Sequence, residues 1–130
     1  MKCLDTDFLR AILRGKPEAR GKLRELDDEG RQATTIVNSF ELFYGAHRSR
    51  DKKGSVRKVR NLLERLDVLP LSMESSERAG ENSAYLASQG ESVDFRDATI
   101  AAVAVSNGLT LVTNNKNHFS RFRGLELESW

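Results

Sequence analysis

A single cysteine, Cys3, in 130 residues excludes an intramolecular disulfide. A chain built without disulfides suits a reducing cytosol, so the expected location is cytoplasmic. Cys3 has apolar neighbours and reads as a core residue. The two histidines, His47 and His118, are too far apart for the spacing of a zinc site. No long apolar stretch precedes Asp5, so no signal peptide is visible. The longest apolar run, Ile100 to Val105, falls far short of the roughly 20 residues needed to cross a bilayer. No linker, repeat or low-complexity tract divides the chain, and residues 1–130 read as one domain. The formal charge of +2 does not by itself demand a nucleic-acid partner, although clustered charge can.

Apolar and β-branched runs alternate with amphipathic ones. Lys2 to Leu4 reads as a short buried strand. Thr6 or Asp7 can cap a helix with Leu9, Ile12 and Leu13 on its apolar stripe. Gly15 and Lys16 end that helix, and Pro17 suits the first turn of the next. Gln32 to Val37 predicts strand two, followed from Asn38 by a helix with Phe40, Phe43, Tyr44 and His47 on one face. Val56, Val59, Leu62, Leu63 and Leu66 mark another helix, and Val68 to Leu71 a third strand. Ser75 or Ser76 opens a helix with Ala79, Ser83, Leu86 and Ala87 inward. Phe95 to Ser106 is a helix whose alanines allow close approach to a sheet, stopped by Asn107-Gly108. Leu109 to Val112 and Leu125 to Leu127 are the last strands, with a helical turn at Lys116 to Ser120 between them. Strands separated by helices predict an α/β fold with a mainly parallel sheet. Ligands in such sheets bind beyond the carboxyl ends of the strands.

Oxygen ligands from several segments fall at that edge. Asp5 follows strand one, Glu41 lies in the first turn after strand two, Asp94 and Asp97 start the helix before strand four, and Asn115 follows that strand. Each also has a simpler reading. Asp5 can simply begin a helix, Asn38 and Glu41 have capping-box spacing, Asp94 and Asp97 repeat it, and Asn115 can be a turn residue. Together, however, clustered carboxylates repel and raise one another's pKa unless a cation intervenes. A hard divalent ion meets that need with two or three carboxylates and retained water. Such an ion can supply a nucleophilic water and offset charge on a phosphate.

The sequence resembles the PIN-domain family, and within it the VapC-type toxins of toxin–antitoxin pairs. The resemblance rests on Leu4-Asp5-Thr6-Asp7, on Phe40-Glu41-Leu42-Phe43-Tyr44-Gly45, on Asp97-Ala98-Thr99-Ile100-Ala101-Ala102-Val103-Ala104, and on Val112-Thr113-Asn114-Asn115 with His118-Phe119. These occur in the family's order over nearly the whole chain. The resemblance implies a PIN-like fold, with a central parallel sheet flanked by helices. It also implies an endoribonuclease dependent on magnesium or manganese, acting on RNA in the cytoplasm, forming a homodimer and inhibited by a small VapB-type antitoxin. It makes Asp5, Glu41 and Asp97 the metal-binding catalytic acids. Thr113 falls on a hydroxyl that orients a carboxylate or water. Asn115 stands where many members carry a fourth acid, which argues against a tightly held second metal. Asp94 matches no invariant position and is expected in the outer shell or as a cap.

Seven basic residues lie between Arg48 and Arg60 with Asp51 as the sole acid among them, which is either an RNA-facing patch or a solvated helix surface. Arg121 and Arg123, close in sequence to Asn115, are candidate substrate contacts. Phe40, Phe43 and Tyr44 are expected in the core or a dimer contact, and His118 is expected to pack with Phe119. Trp130 is expected to cover an end of the sheet. A nuclease of RNA maturation and a non-catalytic binding module are the alternative functions. A phosphoacceptor domain is disfavoured, because Leu69-Pro70-Leu71-Ser72 offers no acceptor Asp and Leu125 to Trp130 no Lys.

Overall fold

The computed structural model describes residues 1–130 throughout. In chain order the elements are β1 (Cys3–Leu4), α1 (Thr6–Leu13), α2 (Pro17–Asp28), β2 (Ala33–Thr35), α3 (Ile36–His47), α4 (Lys52–Glu64) and β3 (Asp67–Leu69). There follow α5 (Met73–Ser88), α6 (Phe95–Ser106), β4 (Leu111–Val112), α7 (Lys116–Phe119) and β5 (Leu127–Glu128). The five strands form one sheet in the order β3-β2-β1-β4-β5, and every pairing is parallel, with Cys3 opposite both Ala33 and Leu111. The expected α/β fold is present. The chain works outward from β1 to β3 on one side and then crosses to β4 on the other. The switch point therefore lies between β1 and β4, beside the residue that follows β1.

Side-chain alternation along the short strands divides the core in two. Leu4 and Val112 pack with Phe8, Leu9 and Ile12 of α1, Leu26 of α2, Leu42 of α3 and Val59 and Leu62 of α4. Cys3 and Leu111 pack on the opposite face with Ala79 and Leu86 of α5, the alanines of α6, and Phe119 and Phe122. Burial pushes the Cys3 thiol well above its usual range, so it behaves as a small apolar side chain. In α6 every residue from Ala98 to Ala104 is buried, and their small side chains let the helix lie close to the sheet.

Several boundaries differ from the sequence expectation. Strand two ends at Thr35, and Ile36 and Val37 open α3 instead of extending the strand. The cause is a capping box: the Thr35 hydroxyl accepts from the Asn38 amide, and the Asn38 side-chain oxygen accepts from the Thr35 amide. That local pairing outweighs the β-branched run. The box is thus Thr35–Asn38, and Asn38 does not pair with Glu41. Likewise Ser72 with Ser75, rather than Ser75 or Ser76 alone, starts α5, Asp5 rather than Thr6 or Asp7 occupies the cap position of α1, and the final strand is shifted to Leu127–Glu128. Ala87 is exposed, so the inward stripe of α5 is carried by Ala79 and Leu86.

Thr35→Ala should lower stability by about 1–2 kcal/mol, the usual cost of losing such a cap. The urea midpoint should fall with an unchanged slope. Glu41→Gln should not show the loss of a cap, because Glu41 caps no helix.

Candidate active site at the carboxyl edge of the sheet

Asp5 leaves the central strand with its amide donating to the Val112 carbonyl, 3.0 Å away. This fixes its carboxylate between the ends of β2 and β4, where it is 5% exposed. From the β4 side the Thr113 hydroxyl donates to Asp5 Oδ2 at 2.8 Å. From the β2 side Asn38 Nδ2 donates to Asp5 Oδ1 at 3.1 Å and to Thr6 Oγ1 at 2.8 Å. The Thr6 hydroxyl passes the chain on, donating to Glu41 Oε1 at 2.8 Å. One polar network therefore links β2, β1, α1, α3 and β4, and holds two of the three expected acids.

The third, Asp97, is half-buried in the first turn of α6, which packs against α3 and α7. Its Oδ2 lies 3.8 Å from His118 Nδ1. Arg96, one residue earlier, reaches Glu41 at 3.8 Å and Asp94 at 3.0 Å, tying the start of α6 to α3. Asp94 caps α6, accepting from the Arg96 amide at 2.7 Å. Its hydrogen bonds from the Arg96 side chain and amide hold its carboxyl below the usual range.

Asn115 contributes its backbone: its amide donates to the Thr113 hydroxyl at 3.0 Å, while its side chain is exposed and makes no hydrogen bond within the chain. Arg121 is engaged with the backbone, its Nη1 donating to the Ser92 carbonyl and its Nε to that of His118. Arg123 lies over the Tyr85 ring of α5, 4.9 Å from its centre. The His118 side chain is exposed beside Asp97, whereas Phe119 is buried. Phe40 and Tyr44 are likewise not core residues. They are 60% and 54% exposed, because Leu42 and Ala46 take the inward stripe of α3.

Sequence reasoning treated Asp7 and Asn38 as caps and overlooked Arg96. Asp7 accepts from the Asn114 amide at 2.9 Å and approaches the Thr113 hydroxyl at 3.3 Å, so it braces the turn that holds Asp5. Asn114 in turn exchanges two hydrogen bonds with the backbone of Trp130, whose ring packs on Phe8. Trp130 thus packs against the core on the α1 side of the sheet and fixes the turn after β4. The repeated acid of Leu4-Asp5-Thr6-Asp7 was the signal available for Asp7.

Burial, then the charges of Asp7 and Glu41, push the Asp5 carboxyl up to about 7, against the lowering effect of the Thr113 bond. Burial and then Asp94 raise that of Asp97, countered by His118, Arg96 and Arg121. No three carboxyl, imidazole or thiol groups converge into a closed ligand set. The donors are all oxygens and are spread over β1, α3 and α6. They fit a hard cation that keeps much of its water, and they do not fit a caged zinc or calcium.

A PIN domain family model matches residues 2–125. The chain belongs to the PIN-domain family. It is 33% identical to the tRNA(fMet)-specific endonuclease VapC of Shigella flexneri, over 98% of this chain and 96% of that one. Ribonuclease VapC2 of Rickettsia felis is 34% identical over the same shares. Among solved structures, VapBC2 from Rickettsia felis bound to a DNA fragment from their promoter gives a TM-score of 0.91 at 28% identity, covering 99% of this chain and 98% of that one. DNA-bound VapBC from Salmonella typhimurium gives 0.89 at 32% identity, covering 100% and 99%. These likenesses place this PIN domain with the VapC proteins. No helix in it is long and apolar enough to cross a membrane.

The raised carboxyl of Asp5 has a consequence for stability. A folded-state pKa above the unfolded value favours the protonated form in the native state, so metal-free protein should lose stability as pH rises from about 4 to about 7. Asp5→Asn should flatten that slope and melt higher than the parent at pH 8 in chelator. A parent melting temperature that is level across this range would show that Asp5 titrates normally.

Proposed function

We propose that this chain is the endoribonuclease toxin of a VapBC-type toxin–antitoxin pair, dependent on magnesium or manganese. The observation that carries the reading is the buried Asp5 carboxylate at the switch point, crowded by Asp7 and Glu41 and lacking any cationic partner in the chain. A bound cation would relieve that crowding. The VapC relatives, one of them named for cleaving tRNA(fMet), support ribonuclease activity. Asp5, Glu41 and Asp97 would hold the ion, which supplies a more acidic water and offsets charge on the phosphate.

The chain's own residues prepare that site. Thr113 and Asn38 fix the two oxygens of Asp5, and Thr6 fixes one oxygen of Glu41, so neither acid needs to reorganise. Asp97 is positioned beside His118, the one imidazole near the site, which can carry a proton at Nδ1. Arg121 braces the α7 turn, and Asp94 holds Arg96 at the rim. A single-stranded loop is the expected kind of RNA target.

The antitoxin's expected seat is a groove of about 240 Å³ between α1, α3 and α4. Leu13, Leu42, Ala46 and Val59 form its apolar floor, with Arg10, Arg14 and Lys58 at the rim. An amphipathic helix fits such a floor, and a basic side chain beyond it could replace the metal's charge among the carboxylates. Exposed Ile36 and Phe95, which line one shallow apolar cleft, offer a contact for the expected second copy.

Purified protein should cleave RNA with magnesium or manganese and stop in excess EDTA. Asp5→Asn and Asp97→Asn should each lower cleavage at least about a hundredfold without unfolding the chain, since even groups that only orient metal ligands cost ten- to a hundredfold. Full cleavage in EDTA, or by either variant, would remove the metal-site reading. Asn115→Asp should tighten manganese binding in calorimetry, and an unchanged isotherm would place that side chain outside the shell. Expression alone should arrest growth, Asp5→Asn should not, and the product of an adjacent short reading frame should relieve the arrest. Harmless expression of active enzyme would favour a nuclease of RNA maturation.

A further inference from the structure

Beside the acidic site lies a second cleft, of about 370 Å³, which the carboxylate network leaves unexplained. Its lining joins Arg10 of α1 and Arg96 of α6 to Phe40, Glu41 and Tyr44 of α3 and to Arg48, which ends that helix. Helical spacing produces this wall. Phe40, Tyr44 and Arg48 are four residues apart and climb one stripe of α3. The two rings lie 6.1 Å apart at 21°, and the Arg48 guanidinium sits 5.3 Å from the Tyr44 centre. Arg10 and Arg48 enter no ion pair in the chain, and their side chains donate no hydrogen bond to it. Gly45, in the last turn of α3, also lines the cleft, and a Cβ there would meet nothing within 4 Å. A glycine within a helix is unfavourable, and no packing neighbour requires this one.

We infer that this cleft binds the single-stranded RNA substrate next to the bond that is cut. Arg10 and Arg48 take backbone phosphates, and an unpaired base stacks on the Phe40–Tyr44 ladder, while Arg96 stays paired with Asp94 and Glu41 at the rim. The inference rests on the nuclease reading and specifies where that substrate lies. Planar rings with free guanidinium groups suit stacked bases and phosphates and have no preference for one base. Glu41 is both a wall of the cleft and part of the acidic network, so a strand seated here runs directly to the carboxylates. The apolar groove between α1, α3 and α4 suits a partner helix better, since four aliphatic side chains floor it. A duplex would keep its bases from the ladder, so single strands should be preferred.

The test uses the full chain and a short, labelled single-stranded RNA with magnesium. Binding is read by fluorescence anisotropy in the Asp5→Asn background, where the strand survives, and turnover is read in the parent background. Tyr44→Ala should weaken RNA binding about tenfold, as loss of one stacked base does. It should raise KM with little change in kcat, and Tyr44→Phe should restore both. Arg48→Ala should weaken binding and reduce its salt slope by about 0.7, the value of one phosphate contact on a single strand. Gly45→Leu, which fills the cleft, should weaken binding while melting no lower than the parent. RNA binding unchanged by all three overturns the inference. If those variants instead lose the antitoxin, the cleft is the partner's site. If they disperse a dimer, it is the face of a second copy. A parent that cuts no RNA would defeat the nuclease reading alone, because the anisotropy comparison still decides what the cleft binds.

Discussion

The two hydrogen bonds that pin the Asp5 carboxylate, from Thr113 on one side and Asn38 on the other, depend on the strand order more than on any single side chain. Only because β1 lies between β2 and β4 do residues 38 and 113 reach the same carboxylate. The parallel register puts all three strand ends at one edge. The β2–α3 junction carries a further duty there. Asn38 stops the strand through its oxygen and holds Asp5 through its nitrogen, so one amide joins a secondary-structure boundary to the chemistry. A buried carboxyl held in this way is costly when charged, and a cation is the natural complement.

The sheet, its parallel sense and the acids at its edge were legible because they follow from local pattern. Alternating strand and helix signals give the fold class, and an acid after a strand gives Asp5 and Glu41. What stayed hidden depends on which groups meet across elements. Asp7, Thr6 and Asn38 look like caps, since capping and carboxylate support use the same short polar side chains. Arg96 bridges α6 to α3, a contact without periodicity. The boundary of β2 differs from the local pattern because β-branched Ile36 and Val37 favour a strand, while the capping box at Thr35 fixes the helix start.

α3 shows why a helical stripe can be read on the wrong side. Phe40 and Tyr44 and, equally, Leu42 and Ala46 are four residues apart, and spacing alone does not say which pair faces the core. The aliphatic pair went inward, leaving the aromatic pair outside beside three arginines. The basic run from Arg48 to Arg60 divides in a similar way. Arg48 faces the cleft beside Glu41 and Lys58 the apolar groove, whereas Lys52, Lys53, Arg57 and Arg60 line a separate depression with His47. A linear count of charge therefore overstates any single patch.

The groove proposed for the antitoxin and the cleft proposed for RNA share two residues, Arg10 and Gly45. A helix seated in the groove would draw on the same guanidinium that the cleft offers to phosphate. It would also press against the one stretch of α3 that lacks a side chain. Inhibition therefore has two physical routes. On the proposed readings a basic side chain would replace the cation among Asp5, Glu41 and Asp97, and the helix itself would withdraw Arg10 from the substrate. The first removes the chemistry, and the second removes binding. A partner using both would keep the enzyme silent even when its basic side chain swings away, because the strand would still lack part of its seat.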